Sequence, residues 1–149
     1  MLRRPLRPRA GGSSVRVLLF FGRRDSQRCD AVVAVDRLVR PPRVLHGTMA
    51  ALLREPTQRE RSAGVFSWFS AKTAGLLRGV RVSEGVAHVD FRNFSRIIPN
   101  ASTSCGGTAL LAQLNRTAAR FPSVRRAIYS CDGSRAAFYQ WLQLDPPSA

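Results

Sequence analysis

GVRVSEGVAHVDF, Gly79 to Phe91, holds two alternating runs around the pair Glu84-Gly85. Valine, alanine and phenylalanine fall at every second position, the period of a strand with one face buried, and Glu-Gly can close a two-residue hairpin turn. That turn fixes the register. Ser83 faces Val86, Val82 faces Ala87, Arg81 faces His88 and Val80 faces Val89, so Val80, Val82, Ala87, Val89 and Phe91 share an apolar side while Arg81, His88 and Asp90 share the other. A sheet with one apolar face needs a layer to cover it.

The covering layer is read downstream. In GGTALLAQLNRTAARFPSV, Gly106 to Val124, the residues Leu110, Leu111, Leu114, Ala118 and Phe121 form one helical stripe. Ser104 can cap this helix and Pro122 closes it. Val124 to Cys131 then reads as a strand with Ala127, Tyr129 and Cys131 on one side, ended by Asp132-Gly133. Phe138, Trp141 and Leu142, at i, i+3 and i+4, predict a short C-terminal helix before Asp145-Pro146-Pro147.

Upstream, Val15 to Phe21 and Asp30 to Arg40 read as two strands, the second stopped by Pro41-Pro42. Thr48 can cap a helix carrying Met49, Leu52 and Leu53, ended by Pro56. Thr57 to Gly75 is polar apart from Phe66, Trp68 and Phe69, and reads as a long loop whose rings plug the edge of the core. The order β-β-α-loop-β-β-α-β, with a final short helix, predicts an α/β (α+β) two-layer sandwich: a mixed sheet with two main helices on one face.

With 149 residues and 44% hydrophobic content, the chain suits one domain, residues 15–149, after a basic disordered tail at 1–14. No run approaches the roughly 20 apolar residues that span a bilayer. The basic start MLRRPLRPRAGGSS leads into an apolar stretch shorter than about 7 to 15 residues with no small-residue cleavage site, so no signal peptide is read. The formal charge is +15, which favours anionic partners. All but one of the 24 cationic residues are arginines, Lys72 being the exception, and they are scattered along the chain. Specific RNA binding of the KH type would need a GxxG loop between two helices; Gly106-Gly107 instead follows a helix cap.

From about Ala31 to Gly133 the pieces resemble the GerMN domain, a bacterial family named after a spore germination and sporulation protein. The resemblance is carried by LVRPP (Leu38–Pro42), MAALLREPT (Met49–Thr57), the Gly79–Phe91 hairpin, the Gly106–Val124 helix with its FPSV ending, and VRRAIYSCDG (Val124–Gly133). The chain departs from the family where Glu55-Pro56-Thr57 stands for the usual Gly-Pro-Thr and where WFSAKT, Trp68–Thr73, stands for a Pro-Gly turn. The resemblance implies an extracytoplasmic, non-enzymatic module of the bacterial envelope, found in lipoproteins and sporulation proteins and similar in fold to ring-building motifs. Its partners would be envelope proteins or further copies of itself, and it brings no catalytic residues and no cofactor.

The cysteines leave alternatives open. A thiol at a helix start is activated by the macrodipole, so Cys105 with His88 and Asp90 would make a Cys-dependent hydrolase. Against this, His88 and Asp90 lie on the face opposite the helix. As a disulfide, Cys105–Cys131 fits the lengths: the helix rises roughly 24 Å and the return strand roughly 23 Å, so both cysteines finish at one end. Cys29 is then the odd thiol, and three cysteines with two distant histidines, His46 and His88, do not space as a zinc site. Phe138, Tyr139 and Trp141 are the candidate contact surface, with core closure as the other use of the same rings. The acceptor patterns at Asn93, Asn100 and Asn115 are assigned no role. A non-enzymatic binding module is therefore expected first, a cationic protein binding nucleic acid or another polyanion second, and a thiol hydrolase third.

Overall fold

The computed structural model describes residues 13–98, 101 and 103–148. Residues 1–12 of the expected tail, and Asn100 with Ser102 of one acceptor pattern, lie outside the described residues. The chain forms β1 (Val15–Arg23), β2 (Val32–Val39), α1 (Val44–Leu52), α2 (Gln58–Ser62), β3 (Val65–Phe66), β4 (Leu77–Ser83), β5 (Val86–Phe91), α3 (Ser104–Ala119), β6 (Arg126–Cys131) and α4 (Arg135–Trp141). The class is the expected α+β, but its strands divide into two three-stranded sheets, ordered β2-β1-β3 and β4-β5-β6. The second sheet is mixed, since β4 runs antiparallel and β6 parallel to β5.

The β4–β5 hairpin has the register read from its sequence, Ser83 with Val86 through Val80 with Val89. Glu84 (φ 52°) and Gly85 (φ 79°) both take positive φ, the requirement of the tight turn whose twist matches its strands. The alternation then fills the core from one side: Ala87, Val89 and Phe91 are buried, and Tyr129 and Cys131 of β6 lie level with Val89 and Phe91. α3 covers this face with Leu110, Leu114 and Ala118, all fully buried.

α3 also closes the first sheet. β3 reaches β1 only at Gly22 and Arg23, which leaves most of that β1 edge without a strand. There the Phe20 amide donates to the buried Thr117 Oγ1 at 2.9 Å, so a helix side chain satisfies what a strand would otherwise pair. The Thr117 hydroxyl in turn donates to the Gln113 carbonyl at 2.8 Å.

Three local readings are corrected. Thr48 does not cap α1: the helix starts at Val44, directly after the Pro-Pro stop and Arg43, and the buried Thr48 hydroxyl donates to the Val44 carbonyl. Thr57–Gly75 is not one loop, because Thr57 and Glu60 form a reciprocal capping box that nucleates α2, after which Val65–Phe66 pairs with β1. The cap of α3 is Thr103, whose hydroxyl accepts from the Gly106 amide, and Ser104 is the first helical residue.

Candidate functional site

The cysteines pair differently from the expected bridge. Cys29, in the β1–β2 loop, is bonded to Cys105 with a Cα–Cα distance of 5.3 Å, and Cys131 is a buried free thiol. The reason is the azimuth of α3. Gly106, Gly107 and Leu110 turn inward, so Cys105 is left on the exposed side of the first turn, beside the β1–β2 loop. Cys131 instead lies level with Phe91 and points into the core. With Cys105 Sγ in a disulfide, the Cys105-His88-Asp90 hydrolase has no nucleophile. Cys131 cannot replace it, because burial pushes its thiol up to about 11, against activation.

Asp90 has a structural task. It accepts from the Ser130 hydroxyl at 2.6 Å and the Gly133 amide at 2.9 Å and faces Arg78 at 3.1 Å, tying β5 to the turn after β6. Among the described residues, no group of three or more His, Cys, Asp or Glu side chains could hold a metal.

The aromatic residues of α4 are likewise corrected as a contact surface. Phe138 is fully buried and Tyr139 nearly so, with Trp141 partly covered. Phe138 packs 5.3 Å from Tyr129 and 6.1 Å from Phe91 between ring centres, and Trp141 packs 5.5 Å from Phe94. The Tyr139 hydroxyl accepts from the Tyr129 amide at 3.2 Å, closing part of the free edge of β6. Phe138 and Tyr139 join the core, and Trp141 packs against it with part of its ring still accessible.

Among the edge strands, β2 presents an exposed row of backbone groups. This eight-residue strand has a strand partner only in β1. Because the Phe20 amide points to α3, Phe20 and Ala34 are a pair that exchanges no hydrogen bonds. The same parity holds at Leu18–Asp36 and Arg16–Leu38, so the N–H groups of Ala34, Asp36 and Leu38 point outward. Among the described residues none of these three amides has a hydrogen-bond acceptor. Their side chains are exposed as well, Leu38 by 72%. A row of outward amides beside an exposed leucine is a template for strand addition.

The edge is held from behind. Arg37 forms a two-pronged pair with Glu60 at 2.6 and 2.7 Å, lies over the Phe21 ring, and also donates to the Asp36 carbonyl at 2.8 Å, so that one acceptor on the outward edge is already engaged. The Arg37 guanidinium holds the Glu60 carboxyl below its ordinary range, and Glu60 also accepts from the Thr57 amide at 2.9 Å. One carboxylate thus caps α2 and fixes the middle of β2. Sequence reasoning missed both features; the T-x-x-E signature at Thr57–Glu60 could have found the cap.

Fold and surface together define a two-sheet α+β domain with a helix-closed core and, at β2, an exposed strand edge. The chain belongs to the family described as sporulation and spore germination, which matches residues 18–136. Its fold is shared with the first GerMN domain of the sporulation protein GerM from Bacillus subtilis, at a TM-score of 0.61 and 14% identity over 91% of this chain and 94% of that one. The tandem GerMN domains of the same protein match at a TM-score of 0.61 and 14% identity over 92% of this chain. The chain spans 45% of that tandem structure. No curated protein matches the sequence significantly.

Proposed function

We propose that the chain is a non-enzymatic binding and assembly module of the sporulation and germination machinery at the bacterial cell envelope, working by strand addition at β2. The observation that carries this reading is the outward row of Ala34, Asp36 and Leu38 amides with Leu38 exposed beside it. Natural edges of this length are normally blunted by proline, lysine or a covering element. Here Asp36 and its partner Arg16 are the charges on the exposed face, at the level of the strand centre. The Cys29–Cys105 disulfide supports a compartment outside the cytoplasm, where such bonds persist. No helix among the described residues is long and apolar enough to cross a membrane.

The test uses Ala34→Pro. Because the Ala34 amide points away from β1, proline removes an outward donor and leaves the β1–β2 ladder intact. Sedimentation velocity over a concentration series, together with a photo-crosslinking residue placed at Ala34 in cells, reads self-association and contact with other proteins. The reading expects association or crosslinking that Ala34→Pro abolishes without changing Tm. Association indifferent to Ala34→Pro, or a chain that stays monomeric and captures nothing from that position, overturns it.

A further inference from the structure

The polar face of the second sheet gathers cations around His88. Its cross-strand neighbours are Arg81 on β4 and Ile128 on β6, and Arg126 lies opposite Val86 on the same face. Arg135 joins them from the first turn of α4. Two hollows meet at His88. One, of about 480 Å³, is lined by Arg81, Asp90, Ser130 and Arg135. The other, of about 400 Å³, is lined by Glu84, Arg125 and Arg126. Ile128, only 3% exposed, contributes to the floor of the first.

What sets these arginines apart is their convergence on one imidazole; like Arg54 and Arg59, they also lack a carboxylate partner among the described residues. Arg16, Arg23, Arg28, Arg37, Arg61 and Arg78 are the described arginines that pair with an aspartate or glutamate. Among the described residues no carboxylate pairs with Arg81, Arg125, Arg126 or Arg135. Arg125 donates to the Glu84 carbonyl, Arg126 to the Ser148 carbonyl and Arg135 to the Pro147 carbonyl, all of them neutral acceptors. Of the two acids lining the hollows, Asp90 is engaged by Arg78, Ser130 and Gly133, and Glu84 sits in the exposed turn.

We propose that this face is a binding site for a small polyvalent oxyanion of the pyrophosphate or citrate class, held by Arg81, Arg126 and Arg135 with His88 between them. Guanidinium forks match such oxygens in pairs, and concave sites for small molecules occupy about 300–1,000 Å³. The site is independent of the β2 edge. His88 supports it: burial, and then Arg81, Arg135 and Arg126, hold its pKa below the ordinary histidine range. An anion among those arginines reverses the repulsion and favours the imidazolium. Binding therefore tightens as pH falls through the His88 pKa, and the ligand raises that pKa. The charged groups facing the imidazole are Arg81 from β4, Arg126 from β6 and Arg135 from α4, with Asp90 and Glu84 on its own hairpin and Arg125 beyond the turn.

The experiment titrates the full chain with pyrophosphate and, separately, citrate, by calorimetry and by NMR of the imidazoles, with His46 as internal reference. The expected result is saturable binding that raises the His88 pKa by about 1 and leaves His46 unchanged. Arg81→Gln with Arg135→Gln should weaken binding at least about tenfold, while Arg54→Gln with Arg59→Gln should not. If the first pair unfolds the chain, the exposed Arg81→Gln alone serves. Preference for one probe tells a phosphate site from a carboxylate site, and either supports the proposal. A His88 pKa unmoved by both probes overturns it, as does equal weakening by both arginine pairs, which would assign the binding to net charge.

Discussion

Replacing Cys29 and Cys105 by serine opens a covalent link between residues 76 positions apart. Closing a loop of that length removes about 4.5 kcal/mol of chain entropy from the unfolded state, and native bridges in small extracytoplasmic domains deliver about 2–5 kcal/mol. A domain of this size has roughly 5–15 kcal/mol of net stability, so the loss is a large share of it. The assay is equilibrium unfolding in guanidinium of the oxidised wild type, the double serine variant and Cys131→Ala. The double variant should fall by about 2–5 kcal/mol with a steeper dependence on denaturant, because its unfolded state exposes more surface. Reductant should bring the wild type to the same value and leave the variant unchanged. A loss below about 1 kcal/mol in the double variant refutes the entropic reasoning. A peptide map joining Cys105 to Cys131 refutes the pairing itself.

Phe138→Ala should cost about 3–5 kcal/mol in the same assay, since the ring is fully buried against Phe91, Tyr129 and Trp141. Thr117→Val keeps the shape and strands the buried Phe20 amide, so it should cost about 1–3 kcal/mol and speed hydrogen exchange at Phe20. The folded-state pKa of Glu60 is depressed by Arg37, so its contribution is fully present above the ordinary glutamate value and is lost as pH falls through the folded value. Glu60→Gln should remove on the order of 1 kcal/mol at neutral pH and flatten that acid limb in a stability-against-pH profile.

The elements that could be read in the sequence are those whose determinants are local. The Gly79–Phe91 hairpin carries both its alternation and its turn within 13 residues, and its register followed from Glu84-Gly85 alone. α3 announced itself through Leu110, Leu114 and Ala118, and α4 through Phe138, Trp141 and Leu142. α2 was missed because five residues hold too little apolar periodicity to mark a helix, although Thr57 and Glu60 spelled its cap. The division into two sheets was not legible, since it depends on Thr117 and α3 occupying the edge of β1. The disulfide failed for a related reason. Lengths along α3 and β6 bring Cys131 to the correct end of the unit, but the side of α3 on which Cys105 emerges depends on which glycines and leucines the core takes. The β2 edge was equally hidden, because an open edge is defined by what does not pack beside it. The apolar residues of β2 read the same in a central strand.

The most direct measurement is residue-resolved hydrogen exchange along β2, first in dilute solution and then under assembling conditions. In the monomer the amides of Val33, Val35 and Arg37 should be protected through β1, while those of Ala34, Asp36 and Leu38 exchange quickly. On assembly the second set should become protected and the first remain so. Fast exchange persisting at Ala34, Asp36 and Leu38 in the assembled state would contradict strand addition at this edge.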